Sequence, residues 1–283
     1  MSRLVGLIGS DIRTSLSPAL HEREAGHHGL SLCYRIIDLV DLGMPVDAVG
    51  DLLGWARRLG FDGLNITHPC KAAVIPHLDA LSDDARALGA VNTVVFDDGR
   101  AIGHNTDWTG FDAAFTRGFA DAPVGHVVLL GAGGAGSAVA HALLTRGAGR
   151  LTVADLDPAR ADVLTGALAL RFGADRVRRA GLAELGEALA EADGLVHATP
   201  VGMSNSPGMP VPAALLNPEL WVADIVYRPL RTELLRRAGE RGCRTLNGGG
   251  MVVYQAAHAF RLFTGAEPDT ERMFAHLTGL VTP

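Results

Sequence analysis

The sequence predicts an α/β protein of two domains, and three observations carry that expectation. Its 283 residues exceed the usual single-domain length, and 48% hydrophobic against 20% charged residues supply enough apolar surface for two cores. Short apolar runs alternate with stretches of helical periodicity along the chain. Midway, the apolar run Val127 to Leu130 leads into a glycine-rich turn, an alanine-rich helix and a further strand, which together make one βαβ unit.

Taken in order, LVGLIG reads as a buried strand, followed by a helix around Leu20 to His28 and the strand CYRIIDL. A helix around Val46 to Leu59, the strand GLNIT, a helix from about Cys70 and the strand AVNTVVF continue the pattern, read as a parallel sheet with crossovers. HVVLLGAGGAGSAVAHALLTRG then reads as strand, turn and helix, RLTVADLD as the next strand, and GLVHATP and WVADIVY as strands that each run into a loop. The Ser/Pro/Gly-rich stretch Gly202 to Pro212 is expected to be a loop. QAAHAFRLFTG and ERMFAHLTGL read as closing amphipathic helices.

A net charge of -6 provides no basic field for a polyphosphate backbone, so nucleic acid is not an expected partner. No apolar run approaches bilayer length, and the N-terminus lacks the small-residue cleavage site of a signal peptide; no membrane association and a cytoplasmic location are expected. Cys33, Cys70 and Cys243 are scattered without CxxC spacing, which argues against a disulfide framework and a zinc site. His21, His68 and His104 lie on separate segments without ligand spacing, so no metal is expected.

The turn Gly131-Ala132-Gly133-Gly134-Ala135-Gly136 carries the GxGxxG pattern in the strand-to-helix context that makes it informative. Its glycines permit a tight turn and let backbone N–H groups approach a pyrophosphate at a helix N-terminus, a Rossmann-type arrangement. Asp155, about twenty residues further on, ends the second strand where a carboxylate accepts hydrogen bonds from ribose hydroxyls. NAD is therefore the expected cofactor, with NADP the alternative because Arg160 could reach a 2′-phosphate. Asp157 suits an N-cap ahead of Pro158 better than Asp155 does.

Among 25 basic residues only Lys71 is a lysine. Arginine keeps its proton at any physiological pH, whereas a lysine amine can exchange one. Lys71 lies in GLNITHPCK, beside the strand end that holds Asn65 and Thr67, and Asp107 follows a second strand end in AIGHNTD. Both strand ends fall at the C-terminal edge of the expected sheet, where α/β ligand sites form. Oxidising an alcohol needs a group that takes the hydroxyl proton as hydride leaves, and Lys71 oriented by Asp107 fits that need. Plainer readings exist: Lys71 as a surface residue, Ser15 and Ser17 as helix caps, Asn65, Asn92 and Asn105 as turn formers, Tyr227 as packing and Gln255 as an exposed helix residue.

SLSPALHE, NITHPCK, GAVNTV, GHNTDWTGF, GAGGAG, ATPVGM, DIVYRPLRTELL and NGGGMVVYQAAHAFRLFTG occur in one order from residue 5 to about 280, and in this the chain resembles the shikimate/quinate dehydrogenase family. The resemblance implies a small-molecule substrate, a ring hydroxy acid of the shikimate/quinate class, and a monomer or homodimer. It implies an N-terminal α/β substrate domain (1–106), a Rossmann-type doubly wound NAD-binding domain (107–246) and C-terminal helices (247–283) returning to the first. By the same resemblance Lys71 and Asp107 are the catalytic pair, and Ser15, Ser17 and Thr67 bind the substrate carboxylate. Asn92, Asp107 and Gln255 bind ring hydroxyls, with Tyr227 at the carboxylate end. Gly131 to Gly136, Asp155, Arg160, Thr199 and Gly250 accompany the cofactor. Many biosynthetic members carry Asn-Arg-Thr/Ser after the second nucleotide-domain strand, where this chain has Asp155-Leu156-Asp157, so it looks more like the NAD-using branch. That branch often has threonine in place of Ser17. Three competitors remain: an NADP-dependent biosynthetic enzyme, an aminoshikimate dehydrogenase, and a non-catalytic NAD-binding sensor.

Overall fold

A computed structural model describes residues 2–281, and within them the apolar runs form two six-stranded sheets. The chain divides into two compact units, Met1–Thr109 with Val253–Pro283, and Gly110–Val252.

The first sheet comprises β1 (Ser2–Gly9), β2 (Ser31–Asp38), β3 (Gly63–Ile66), β4 (Ala80–Leu81), β5 (Thr93–Asp97) and β6 (Arg100–His104), in the order β2-β1-β3-β5-β6-β4. β2, β1 and β3 are parallel, whereas β5 runs antiparallel to both β3 and β6. The parallel sheet expected from the sequence is thus corrected to a mixed one. The cause is local: Asp98 and Gly99, at φ 45° and 74°, make a two-residue turn whose twist matches a hairpin, and it joins β5 to β6. The same reversal carries Asn92, just ahead of β5, to the edge where β3 and β6 end.

Helices α1 (Ser17–His27), α2 (Leu39–Leu42), α3 (Val49–Arg58), α4 (Cys70–Ala73) and α5 (Asp83–Leu88) belong to this unit. α4 is a single turn, because Pro76 has no N–H to continue the ladder. One face of the sheet packs Ile8, Leu64, Ile66 and Val94 against Leu52, Leu53, Cys70 and Val74. Val5, Leu7 and Tyr34 on the other face meet Ala259 and Phe263.

Next come α6 (Asp107–Phe119) and the second sheet, β7 (His126–Leu130), β8 (Arg150–Ala154), β9 (Val177–Arg179), β10 (Gly194–His197), β11 (Trp221–Asp224) and β12 (Arg244–Leu246). Its strands are all parallel, in the order β12-β11-β10-β7-β8-β9. That is the doubly wound order, with its switch point between β7 and β10. Helices α7 (Gly134–Thr145), α8 (Pro158–Phe172), α9 (Leu185–Ala190) and α10 (Glu233–Glu240) provide the crossovers. Gly202 to Pro212 is irregular apart from an isolated bridge between Met203 and Ser206.

The closing helices are α11 (Gly249–Thr264) and α12 (Thr270–Val281). α12 is fastened to α1 through Glu24, whose buried carboxylate accepts from Arg272 Nη2 (2.5 Å), Arg272 Nε (2.9 Å) and the Asp269 amide (2.8 Å). Among the described residues, no helix is long and apolar enough to cross a membrane.

Candidate active site

In the first unit, polar side chains gather at the edge where β3 and β6 end and β5 begins. The Asn92 amide nitrogen donates to His104 O (3.0 Å), and its carbonyl accepts from Ile66 N (2.8 Å), so three strands are tied at one residue. Asn92 is 3% exposed; its Oδ1 accepts from Thr106 N (2.7 Å) and its Nδ2 donates to Thr106 Oγ1 (3.0 Å). These bonds fix the turn from β6 into α6. Asn105 Oδ1 then caps α6 by accepting from Asp107 N (3.1 Å), and its Nδ2 donates to Ala90 O (2.9 Å). For Asn105 the turn-former reading is what the geometry shows.

Asp107, placed in this way, meets Lys71. Lys71 Nζ donates to Asp107 Oδ2 at 2.5 Å, with the two side chains 18% and 11% exposed. The amine is held at its root as well, since Lys71 O accepts from Val91 N (2.9 Å). A charge-assisted contact of this length, largely withdrawn from water, orients the amine and leaves its other N–H directions for a ligand.

Ser15 and Ser17 precede and open α1, whose N-cap, Leu16, makes no side-chain bond. Ser15 Oγ instead donates to Ser17 Oγ (3.2 Å), so the two hydroxyls adjoin one another and neither caps the helix from the N-cap position. Thr67 follows β3, its N–H bonded to Ile8 O (2.9 Å), and Gln255 lies half-buried on α11 in the same unit. Tyr34 was not anticipated from the sequence. Its buried phenol donates to Asn65 Oδ1 (2.8 Å) and also meets Ser17, while Asn65 Nδ2 donates to Thr93 Oγ1 (3.1 Å). Burial pushes the Tyr34 phenol above its ordinary value, so it stays protonated and serves as a donor. A lone Tyr in a strand carries no sequence signal for such a role.

His21 is buried among Tyr34, Phe260 and Phe263 with Nδ1 on Ser17 O (2.9 Å), and desolvation lowers it to about 4, which keeps it neutral. Burial likewise lowers His104 and raises the Cys70 thiol. Among the described residues no cluster of three His, Cys, Asp or Glu side chains could hold a metal ion.

The second unit carries the glycine turn at the end of β7. Gly131 has φ 105°, and a Cβ there would lie 2.5 Å from Ala198 O; a Cβ on Gly136 would lie 2.0 Å from Gly131 O. A Cβ on Gly133, by contrast, would stand in open space, and Gly133 caps α7 without a side-chain bond. The first amides of a twelve-residue helix therefore face outward uncapped, the arrangement a pyrophosphate takes. Asp155 Oδ2 accepts from Ala132 N (2.7 Å) and Oδ1 from Asp157 N (2.8 Å), so the carboxylate ties the turn to the end of β8. Asp157 is the N-cap of α8, as its place before Pro158 predicts. Arg160 is exposed, with Nε 3.4 Å from Asp157 Oδ2. Thr199 follows β10 directly across the switch point, Tyr227 follows β11, and burial raises the Tyr227 phenol. Gly250 is where α11 crosses α6: a Cβ there would meet the Ala114 Cβ at 2.8 Å, a packing reason for glycine.

Comparison with known proteins identifies the ensemble. The chain is 63% identical over 279 residues to shikimate dehydrogenase (NADP(+)) of Streptomyces avermitilis, covering 99% of this chain and 96% of that protein. It belongs to the shikimate/quinate dehydrogenase family. Family models agree: residues 7–94 match the shikimate dehydrogenase substrate binding domain, residues 248–276 the shikimate 5′-dehydrogenase C-terminal domain, and residues 127–206 a saccharopine dehydrogenase NADP binding domain. Another family member, the quinate/shikimate dehydrogenase (NAD(+)) of Corynebacterium efficiens, is 50% identical over 280 residues, 99% of each chain. The quinate dehydrogenase of Corynebacterium glutamicum, solved in complex with NAD, superposes with a TM-score of 0.92 at 45% identity, covering 98% of this chain and 99% of that one. Membership makes the chain an NAD(P)-dependent oxidoreductase; the family's named members use either coenzyme.

Proposed function

We propose that the protein interconverts shikimate and 3-dehydroshikimate, with Lys71 and Asp107 handling the proton. The observation that carries this reading is the 2.5 Å contact of the chain's single lysine with Asp107, at a strand edge otherwise built of Asn and Thr. A nicotinamide coenzyme, when bound, would supply the hydride chemistry at the carbinol carbon. As that carbon becomes a ketone, the hydroxyl proton passes to Lys71 Nζ, which enters the step as the neutral amine and leaves it as the ammonium; in the reverse direction the ammonium gives the proton back. Asp107 holds the amine in register and, with Asn92 and Gln255, binds ring hydroxyls. Ser15, Ser17 and Thr67 supply hydroxyl donors to the substrate carboxylate.

For the coenzyme, the relative at 63% identity supports NADP over the NAD expected from the sequence. Arg160, exposed and only loosely paired with Asp157, is the cation available to a 2′-phosphate. One observation keeps NAD as a second reading: the Asp155 carboxylate sits on the glycine turn, a place from which a carboxylate would accept from ribose hydroxyls and repel a 2′-phosphate. The NAD-linked relatives at 50% and 46% identity are consistent with it. Steady-state kcat/KM for shikimate, quinate and an aminoshikimate, each with both coenzymes, tests the proposal. Shikimate with at least one coenzyme should lead; no turnover of shikimate with either coenzyme overturns the reading.

A further inference from the structure

One group of fully buried polar side chains lies outside the set above, at the ends of β10 and β11 in the second sheet. His197 ends β10 and Asp224 ends β11, and both side chains are 0% exposed. His197 Nδ1 stands 2.9 Å from Asp224 Oδ1, and its Nε2 stands 2.5 Å from Thr199 Oγ1. Asp224 also accepts from Val226 N (3.0 Å, Oδ1) and from Thr232 Oγ1 (2.6 Å, Oδ2).

In the tautomer whose Nδ1–H donates to Asp224, Nε2 keeps its lone pair and the Thr199 hydroxyl donates to it. Thr199 Oγ1 also accepts from Val201 N (3.3 Å). The hydroxyl is left as an acceptor, with no proton of its own to offer. Its side chain adjoins the glycine turn: Thr199 Cγ2 is 3.0 Å from where a Cβ of Gly131 would be, and Ala198 N donates to Leu130 O (2.7 Å). The Val226 amide and the Thr232 hydroxyl give Asp224 a structural role, but neither calls for a buried histidine opposite it, which adds a desolvation of its own.

We propose that His197, clamped by Asp224, is a positioning residue that fixes the Thr199 hydroxyl as a hydrogen-bond acceptor for a donor group of the bound dinucleotide, a ribose hydroxyl or the carboxamide N–H. The proposal rests on the coenzyme reading above and names a residue for it that neither the glycine turn nor the Lys71 pair includes. Substituting Asn at His197 keeps an N–H for Asp224, but the shorter side chain places no acceptor where Nε2 meets Thr199.

The test is calorimetric dissociation constants of NAD+, NADP+ and ADP-ribose for the full-length wild type, His197→Asn, Thr199→Val, Thr199→Ser and the His197→Asn/Thr199→Val double variant. ¹⁵N-histidine NMR of the coenzyme-free wild type reads the tautomer directly. The His197→Asn and Thr199→Val variants should each weaken the better coenzyme about tenfold. The double variant should be no weaker than either, because both remove one interaction. Thr199→Ser, which keeps the hydroxyl, should bind within about threefold of wild type. A loss that persists with ADP-ribose assigns the donor to a ribose hydroxyl, and a loss that vanishes assigns it to the carboxamide. Wild-type affinity in both Thr199→Val and His197→Asn, additive losses, or an Nε2-protonated ring in the wild type overturns the inference and leaves the proposed function standing. A wild type that binds neither coenzyme overturns both.

Discussion

Asp155 holds the fold locally, and the proposed function gives the same carboxylate a part in coenzyme choice. It accepts from Ala132 N and Asp157 N, so it shapes the turn before any coenzyme arrives. Asp155→Asn removes the charge and keeps one acceptor oxygen, so one of the two bonds, to Ala132 N or to Asp157 N, is given up with it. The ratio of kcat/KM for NADP to that for NAD should rise about tenfold or more in this variant, a change of about 1.4 kcal/mol or above. An unchanged ratio would show that Asp155 takes no part in coenzyme choice. His21 makes a prediction of another kind. Its folded value of about 4 lies below the value of about 6.5 for an unfolded chain, so the unfolded state binds the extra proton. The stability that neutral His21 contributes is complete above pH about 6.5 and is lost as pH falls toward about 4. Between about pH 7.5 and about pH 5 this one group should remove about 2 kcal/mol from urea-unfolding stability, and His21→Leu should flatten the curve by that amount. Parallel curves for the two proteins would contradict the assignment.

The glycine turn and the mixed sheet show what an element's sequence does and does not reveal. The GxGxxG turn was legible because its requirements are steric and local: Gly136 cannot bear a Cβ beside Gly131 O, and Gly131 is locked at positive φ. The parallel character assumed for the first sheet was not, because the strand run AVNTVVF is equally compatible with either direction. Asp98-Gly99 was the available signal, a two-residue hairpin turn that settles the direction of β5. Asn92 and Lys71 were legible as residues, yet their meeting at one edge depends on that reversal. Tyr34 and the partners of Asn65 were illegible because their pairings span 31 and 27 residues of separate strands. The two structural glycines predict a contrast. Gly136→Ala should fail to form the turn and lower Tm markedly. Gly133→Ala should keep wild-type Tm, since its Cβ enters open space at φ -77°, yet raise KM for the coenzyme about tenfold by standing where a pyrophosphate approaches. A Gly133→Ala variant with unaltered coenzyme KM would remove the turn from the binding argument.

Over the whole molecule, the residues with a proposed role are divided between the two units. Ser15, Ser17, Thr67, Lys71, Asn92, Asp107 and Gln255 belong to the first, while the glycine turn, Asp155 and Thr199 belong to the second. The chain passes from one to the other within α6 and returns within α11, so Asp107 and Gln255 each sit on a helix that the two units share. The order of motifs along the sequence anticipated this family, and membership holds over nearly the full length. Coenzyme choice was less legible, because it turns on a few side chains around one ribose, and the relatives on either side of that choice remain alike elsewhere. The proposed function rests on proton transfer through Lys71, and the most direct measurement of it is kcat for shikimate oxidation by Lys71→Ala and Lys71→Arg, with folding checked by Tm. Both should lose about two or more orders of magnitude in kcat, arginine failing because it cannot take the proton. Turnover within a fewfold of wild type in a folded Lys71→Ala would contradict the assignment.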